Sequence, residues 1–176
     1  MVYELPFGNG KHFQSENGLL NAVVGGWEIS SLFQIHSGSP FTPYVGTFND
    51  SGSLAGAWRP NRIGKGTVAH PNNNEWFDPS AFVVPDAYTF GDSGRDILYG
   101  PRWTNINGAL LKNFSIRKLG EQGKLQFKIE TNNLLNHPNF GLPNAAIGTA
   151  TGPGGVGTIS SASTGRTMQL GASLTF

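Results

Sequence analysis

From Arg166 to Phe176 the side chains alternate without a break. Met168, Leu170, Ala172, Leu174 and Phe176 are apolar, while Thr167, Gln169, Gly171, Ser173 and Thr175 are small or polar. Successive side chains of a strand point to opposite faces, so this segment is predicted to be a strand with one apolar and one polar face. About 11 residues at roughly 3.4 Å each, tilted by about 45°, gain roughly 25 Å in height. Such a strand suits two settings. Its apolar face packs on a second layer, as in a soluble sandwich, or it meets lipid.

Composition bears on that choice. Charged residues make up 13% of the chain, well below the usual quarter or so of a soluble domain, which counts against a solvated globular surface. With 25 Gly and 11 Pro, short strands joined by turns are expected, hence an all-β fold. The balance of 12 Lys+Arg against 11 Asp+Glu provides no basic field for nucleic acid. With no Cys, disulfides, thiol chemistry and Cys-based metal sites are excluded. No run of about 18 apolar residues exists, so no transmembrane helix is expected. A barrel needs none, because alternate residues supply its lipid face. Met1 to Pro6 has neither the basic start nor the apolar segment of a signal peptide, so an exported protein would need a further N-terminal part.

Along the chain, Met1 to Phe7 is expected to be the end of a strand closed by Pro6, and Gly8-Asn9-Gly10-Lys11 a turn. Leu19 to Val24 is expected to be a short helical or irregular packing element before Gly25-Gly26. Trp27 to Gly38 is predicted as a strand, with Trp27, Ile29, Phe33 and Ile35 on one face and Glu28, Ser30, Leu32, Gln34 and His36 on the other. Ser39 to Tyr44 would extend it briefly. From Ser37 to Thr104 periodicity is lost, and one very long loop with local turns and a short hairpin is expected. Asn105 to Arg117 is predicted as a strand with Ile106, Gly108, Leu110, Phe114 and Ile116 on one face. Lys112 falls on that apolar face and Leu111 on the polar one, so either a bulge resets the register or Lys112 snorkels. Leu119 to Gly123 is a tight turn. Lys124 to Thr131 alternates again, with Leu125, Phe127 and Ile129 opposed to Lys124, Gln126, Lys128 and Glu130. Asn132 to Gly165 is expected to be a second Gly- and Asn-rich loop.

The connection lengths sort by side. If the C-terminus is periplasmic, both long loops (about 38–104 and 132–165) fall outside, and the tight turn and the Gly8 to Gly26 connection fall inside. That asymmetry belongs to outer-membrane barrels. The fold class is therefore an all-β, antiparallel transmembrane β-barrel fragment. It would have about five strands in an open curved sheet with long extracellular loops, whereas closure takes at least about eight. In this setting Lys124, Lys128 and Glu130 would face the lumen, and Trp27 and Phe176 would belong to an interfacial aromatic girdle. The other reading is a secreted or surface-exposed β-rich binding or adhesion module.

No catalytic constellation is present, and no enzyme is expected. His12, His36, His70 and His137 lack ligand spacing. Gly148 to Gly157 lacks the Lys-Ser/Thr and helix of a phosphate cradle and is expected to be a flexible outer loop. Ser30, Ser37 and Ser51 have no nucleophile motif. Asp50, Asp78, Asp86, Asp92 and Asp96 lack Ca²⁺-loop spacing and are expected in turns and caps. No cofactor is implied.

The order of motifs is more specific than any one of them. Glu4-Leu5-Pro6-Phe7-Gly8, Gly25-Gly26-Trp27, Ser37 to Pro43, Arg59-Pro60-Asn61, Trp76 to Phe82, Phe90 to Arg95, Gly100-Pro101 and Glu130 to Gly141 precede the final strand. This series resembles the C-terminal end of Oar-like TonB-dependent outer-membrane receptors, many of which carry a carboxypeptidase-regulatory-like domain. The resemblance covers nearly the whole chain, with departures: Asn107 stands where Asp is common, and Thr131-Asn132 differ slightly. It implies barrel wall in the outer membrane of a Gram-negative bacterium, with plug and N-terminal barrel absent. The implied partners are outer-membrane lipid, the barrel-assembly machinery, the TonB complex through the missing plug, and a ligand that the sequence does not identify. The last strand also resembles the C-terminal assembly signal of bacterial outer-membrane barrels, which would make Met168, Leu170, Ala172, Leu174 and Phe176 the barrel-insertion signal.

Overall fold

A computed structural model describes residues 1–8, 10–14, 16–47, 58–116, 120 and 123–176. Asn9, Asp50, Ser51, Arg117 and most of the turn expected at Leu119 to Gly123 lie outside the described residues. In chain order the elements are β1 (Val2–Glu4), α1 (Gly18–Val24), β2 (Trp27–His36), β3 (Pro40–Phe41), β4 (Tyr44–Val45), β5 (Asn61–Arg62), β6 (Thr67–Asn72) and β7 (Glu75–Phe77). A 3-10 turn (Pro79–Ala81) follows, then β8 (Phe82–Val83), β9 (Leu98–Tyr99), β10 (Trp103–Ser115), β11 (Lys124–Asn132), β12 (Ala146–Ile147) and β13 (Thr167–Thr175). Two compact units emerge: Met1–Ile35 with Thr104–His137 and Thr164–Phe176, and His36–Trp103 with Pro138–Ser163.

The first unit is a five-stranded sheet in the order β1-β2-β10-β11-β13. Strands β1 and β2, β10 and β11, and β11 and β13 pair antiparallel. The β10–β11 ladder runs without a slip from Gly108↔Thr131 to Ser115↔Lys124. The β11–β13 ladder runs from Lys124↔Thr175 to Asn132↔Thr167. Between β2 and β10, the Asn113 N–H donates to the Gly26 carbonyl at 2.8 Å. Ile116 and Gly123 close the foot of the β10–β11 hairpin with a 2.7 Å main-chain bond.

Unbroken register carries the alternation of each strand across the sheet, because a slip of one residue would exchange the faces. Leu110, Ile129 and Leu170 form one row, Lys112, Phe127 and Ala172 the next, and Phe114, Leu125 and Leu174 a third. The opposite face carries Asn113, Gln126 and Ser173 in one row and Leu111, Lys128 and Gly171 in another. The strands predicted from alternation are thus present, with ends moved by at most three residues.

The second unit contains the short hairpin expected between Ser37 and Thr104 (β6–β7) and adds a packed core that the sequence did not show. Its core holds Phe41, Phe77, Phe82, Leu98, Ile147 and Val156, and Phe77 is only 1% exposed. The short strands pair as β3–β9, β5–β8, β6–β7 and β4–β12. Pro40-Phe41 does not extend β2; it pairs with Leu98–Tyr99. The Gly148 to Gly157 stretch is not an open loop at its end, since the Gly157 carbonyl accepts from Trp76 N–H, and Gly157 N–H donates to Asn144, each at 2.8 Å. The motifs seen in the sequence are partners here. A Cβ on Gly38 would stand 1.7 Å from the Gly100 carbonyl oxygen, so Ser37-Gly38-Ser39 and Gly100-Pro101 meet backbone to backbone. Arg62 N–H donates to Asp92 Oδ1 at 2.7 Å and Asp92 N–H to Asn61 Oδ1 at 3.2 Å. That pair joins Arg59-Pro60-Asn61 to Phe90-Gly91-Asp92.

Two-residue strands contribute little by themselves, so the second unit rests on its aromatic core. Phe77→Ala is expected to cost about 3–5 kcal/mol. Amide hydrogen exchange should read this as faster exchange at Phe41, Leu98 and Phe82 with no change along Thr167–Thr175.

Candidate functional site

The two faces of the five-stranded sheet are the candidate site. On the polar face, Lys128 Nζ lies 3.1 Å from Glu130 Oε1, and Gln126 Nε2 donates to Asn113 Oδ1 at 2.8 Å across the β10–β11 pair. Asn105 Nδ2 donates to Asn107 Oδ1 at 3.0 Å. A cavity of about 510 Å³ is lined by Ser30 and Leu32 of β2, Asn107 and Ala109 of β10, Glu130 of β11 and Gln169 of β13. The cavity reaches from β2 to β13 across two intervening strands, which fits a sheet curled toward its polar side. The apolar face is then convex, as a wall with a wet interior requires. Lys124, Lys128 and Glu130 alternate onto the same face as Gln126 and Ser173.

The convex face is largely uncovered within its unit. Phe33, Phe127, Leu170 and Leu174 are exposed, Leu170 at 76%. A sandwich would bury these side chains against a second sheet, and the described residues of this unit supply none. Met168, Leu170, Ala172 and Leu174 share this face; Phe176, just past the end of the strand, is 88% exposed. Trp27 and Phe176 both lie at the end of the sheet where β10 and β11 join.

At that end a helix covers part of the apolar face, and Lys112 explains it. The unslipped ladder excludes a bulge, so Lys112 does stand among Trp27, Leu110 and Phe114. Its side chain is 6% exposed. Instead of reaching water, Nζ donates to the carbonyls of Ala22 (2.7 Å), Val23 (2.9 Å) and Gly25 at the C-terminal end of α1. The ammonium also sits 5.0 Å from the Trp27 ring centroid and 4.9 Å from that of Phe114. A helix C-terminus ends in carbonyls without partners and carries partial negative charge. A cation there is favourable, and two aromatic faces add to it. Trp27 Nε1–H donates to Val23 at 2.9 Å, so the tryptophan expected in an aromatic girdle also ties down the helix. At the other end, Asn17 Oδ1 accepts from the Leu19 and Leu20 N–H groups, an ordinary N-cap. Gly26 makes the junction feasible: its φ is +69°, and a Cβ would stand 2.3 Å from the Asn113 carbonyl oxygen, so only glycine fits.

At the opposite end, Glu130 to His137 forms a hydrogen-bonded corner. Asn107 Oδ1 accepts from Asn133 N–H at 3.0 Å. The Asn133 side chain both accepts from His137 N–H (2.9 Å) and donates to its carbonyl (3.0 Å). Asn136 Oδ1 accepts from Arg166 N–H at 3.0 Å, starting β13. Asn133 and Asn136 have φ of +53° and +51°, a region Asn tolerates better than most residues. The Asn at 107 keeps the Oδ1 acceptor that an Asp would provide.

The remaining polar candidates have structural duties. Asp78 caps the 3-10 turn through Ser80 N–H at 2.9 Å, and Asp96 bonds Thr42. His36 stacks on Trp103 at 5.1 Å. Among the described residues no group of three or more His, Cys, Asp or Glu could hold a metal ion.

A family model described as an outer membrane beta barrel domain matches residues 1–169. No curated protein matches the chain, and no solved structure does.

Lys112 was visible in the sequence as an oddity, but its partner was not. Lys112→Ala should release α1 at a cost of about 1.5–3 kcal/mol, the range for losing hydrogen bonds to a charged group. Lys112→Met keeps the stem and should be comparably defective. The readout is protease cleavage within Gly18–Val24 of the folded protein.

Proposed function

The chain belongs to the outer membrane β-barrel domain family and resides in the cell outer membrane, and from that premise we propose that it is wall and outer surface of a TonB-dependent, Oar-like receptor. In this reading the full protein captures a ligand outside and carries it across the membrane with energy delivered through TonB. The five strands are a sector of the barrel. An open sheet leaves unpaired N–H and C=O groups along β1 and β13, and hydrocarbon cannot satisfy them. Further strands, and the plug that TonB would engage, belong to the rest of the receptor.

One observation carries the proposal: the two long connections leave the sheet from the same end. Residues 37–102 join β2 to β10 and residues 133–166 join β11 to β13, while the hairpin foot and α1 stand at the other end. Together these connections make most of the second unit, which has its own aromatic core. Long connections on one side and short ones on the other suit a receptor that collects its ligand outside. The motif series from Glu4 to Gly141 supports the Oar-like assignment. Ligand contacts are then expected from the long connections, with no cofactor and no catalytic step.

Two measurements test this. DNA upstream of the Met1 codon should encode, in frame, a plug, further alternating strands and a signal peptide; a stop codon directly upstream would remove the receptor. The sidedness can be read on intact cells, since these 176 residues contribute no Cys and any elsewhere in the full protein can be replaced by Ser. Asn74→Cys in the full protein should react with a membrane-impermeant maleimide and Gly123→Cys should not. The reverse pattern would invert the wall.

A further inference from the structure

Helix α1 covers one end of the apolar face without closing on it. Between them lies an open cleft of about 720 Å³, lined by Leu19, Ala22 and Val23 of the helix and by Trp27, Phe127 and Ile129 of the wall. That is within the usual size of a small-molecule site, roughly 300–1,000 Å³. The lining is apolar apart from Lys112, whose ammonium is engaged by three helix carbonyls. The cleft therefore has no free polar group with which to select a polar ligand. Leu19 and Val23 at the mouth of the cleft, and Leu20 beside them, are exposed, Leu19 at 81%. A short helix in water gains nothing from three exposed aliphatic side chains, but one lying in a membrane interface does.

We infer that α1 is an interfacial lipid anchor and that the cleft beneath it takes an acyl chain of a membrane phospholipid, the head group remaining at the surface. The inference rests on the convex face being the lipid-facing wall, and continuity with that face singles out lipid as the occupant. Phe127 pairs with Ala172 and Ile129 with Leu170, so the cleft floor is the same surface as the uncovered wall. Depth agrees. Lys112 is three residues from the end of β10, about 7 Å of height for a strand tilted by about 45°. A lysine at mid-membrane would cost about 2–4 kcal/mol, and near the interface about 0–1. The anchor is thus placed where its cation is tolerated, and where an acyl chain can enter from the side. Because no polar group points into the cleft, binding should follow the chain and ignore head-group charge.

The test uses the full protein in phosphatidylethanolamine vesicles with a trace of phosphatidylcholine carrying a mid-chain diazirine, followed by irradiation and peptide mapping. The inference expects label on Leu19 or Val23 and on Phe127 or Ile129, alongside label on Leu170. Ala22→Trp, which fills the cleft, should lose the Phe127 label and keep the Leu170 label. Replacing the carrier lipid with phosphatidylglycerol should change neither. Label on Leu170 and Leu174 but none on α1 or Phe127 would overturn the inference while leaving the wall intact. Phe127 label that survives Ala22→Trp would mean ordinary contact with bulk lipid and would overturn the cleft. Absence of label from Leu170 as well would overturn the wall and the inference together. Capture of α1 by a neighbouring protein in place of lipid would also overturn it.

Discussion

The structure depends on one constraint: in hydrocarbon every backbone N–H and C=O needs a partner, so the wall must be an unbroken ladder. Unbroken ladders hold register, and register keeps the faces apart. From Gly108↔Thr131 to Ser115↔Lys124, and from Lys124↔Thr175 to Asn132↔Thr167, no residue is inserted. The row Leu110–Ile129–Leu170 and the neighbouring row Asn113–Gln126–Ser173 are therefore consequences of the same hydrogen bonds. A single bulge at Leu110-Leu111 would have moved Lys112 to the polar face and, with it, displaced the ladder that holds Phe127 and Ala172 in line.

Keeping that register put a cation on an apolar surface, and the local structure follows from accommodating it. The ammonium of Lys112 could not stay bare beside Leu110 and Phe114. It found the carbonyls of a seven-residue helix too short to be stable alone,. Helix and lysine are thus mutually dependent: the helix covers the charge, and the charge caps the helix. Trp27 serves both, as a ring face for the ammonium and as a donor to Val23. Gly26, in the left-handed region against Asn113, lets β2 begin directly after the helix. At the far end, Asn107, Asn133 and Asn136 hold the corner from which β13 starts.

How much of this the sequence showed depended on length. The long strands were legible because alternation over nine or more residues has no helical counterpart, and the faces followed from the same pattern. Apart from a short hairpin, the second unit was not legible. Its strands are two to six residues long, too short for a period, and its core joins Phe41, Phe77, Leu98 and Ile147 across more than a hundred positions of chain. The motifs Ser37-Gly38-Ser39 and Gly100-Pro101 were visible, but that each is the other's packing partner was not, since a missing Cβ says only that something comes close. The Asp residues expected in turns were found at 78, 92 and 96 as caps and turn bridges. Lys112 stood out as a conflict between register and polarity, and such conflicts mark places where tertiary structure supplies what the local pattern lacks.

The most direct test of the account is the environment of the two faces of Thr167–Thr175. Nitroxide labels placed singly from Met168 to Leu174 in the full protein, in bilayers, can be scored for collision with oxygen and with a water-soluble nickel chelate. Oxygen access should peak at Met168, Leu170, Ala172 and Leu174, and nickel access at Gln169, Gly171 and Ser173. Uniform access at every position, or the opposite phase, would contradict a wall with lipid on its apolar face and water on its polar one.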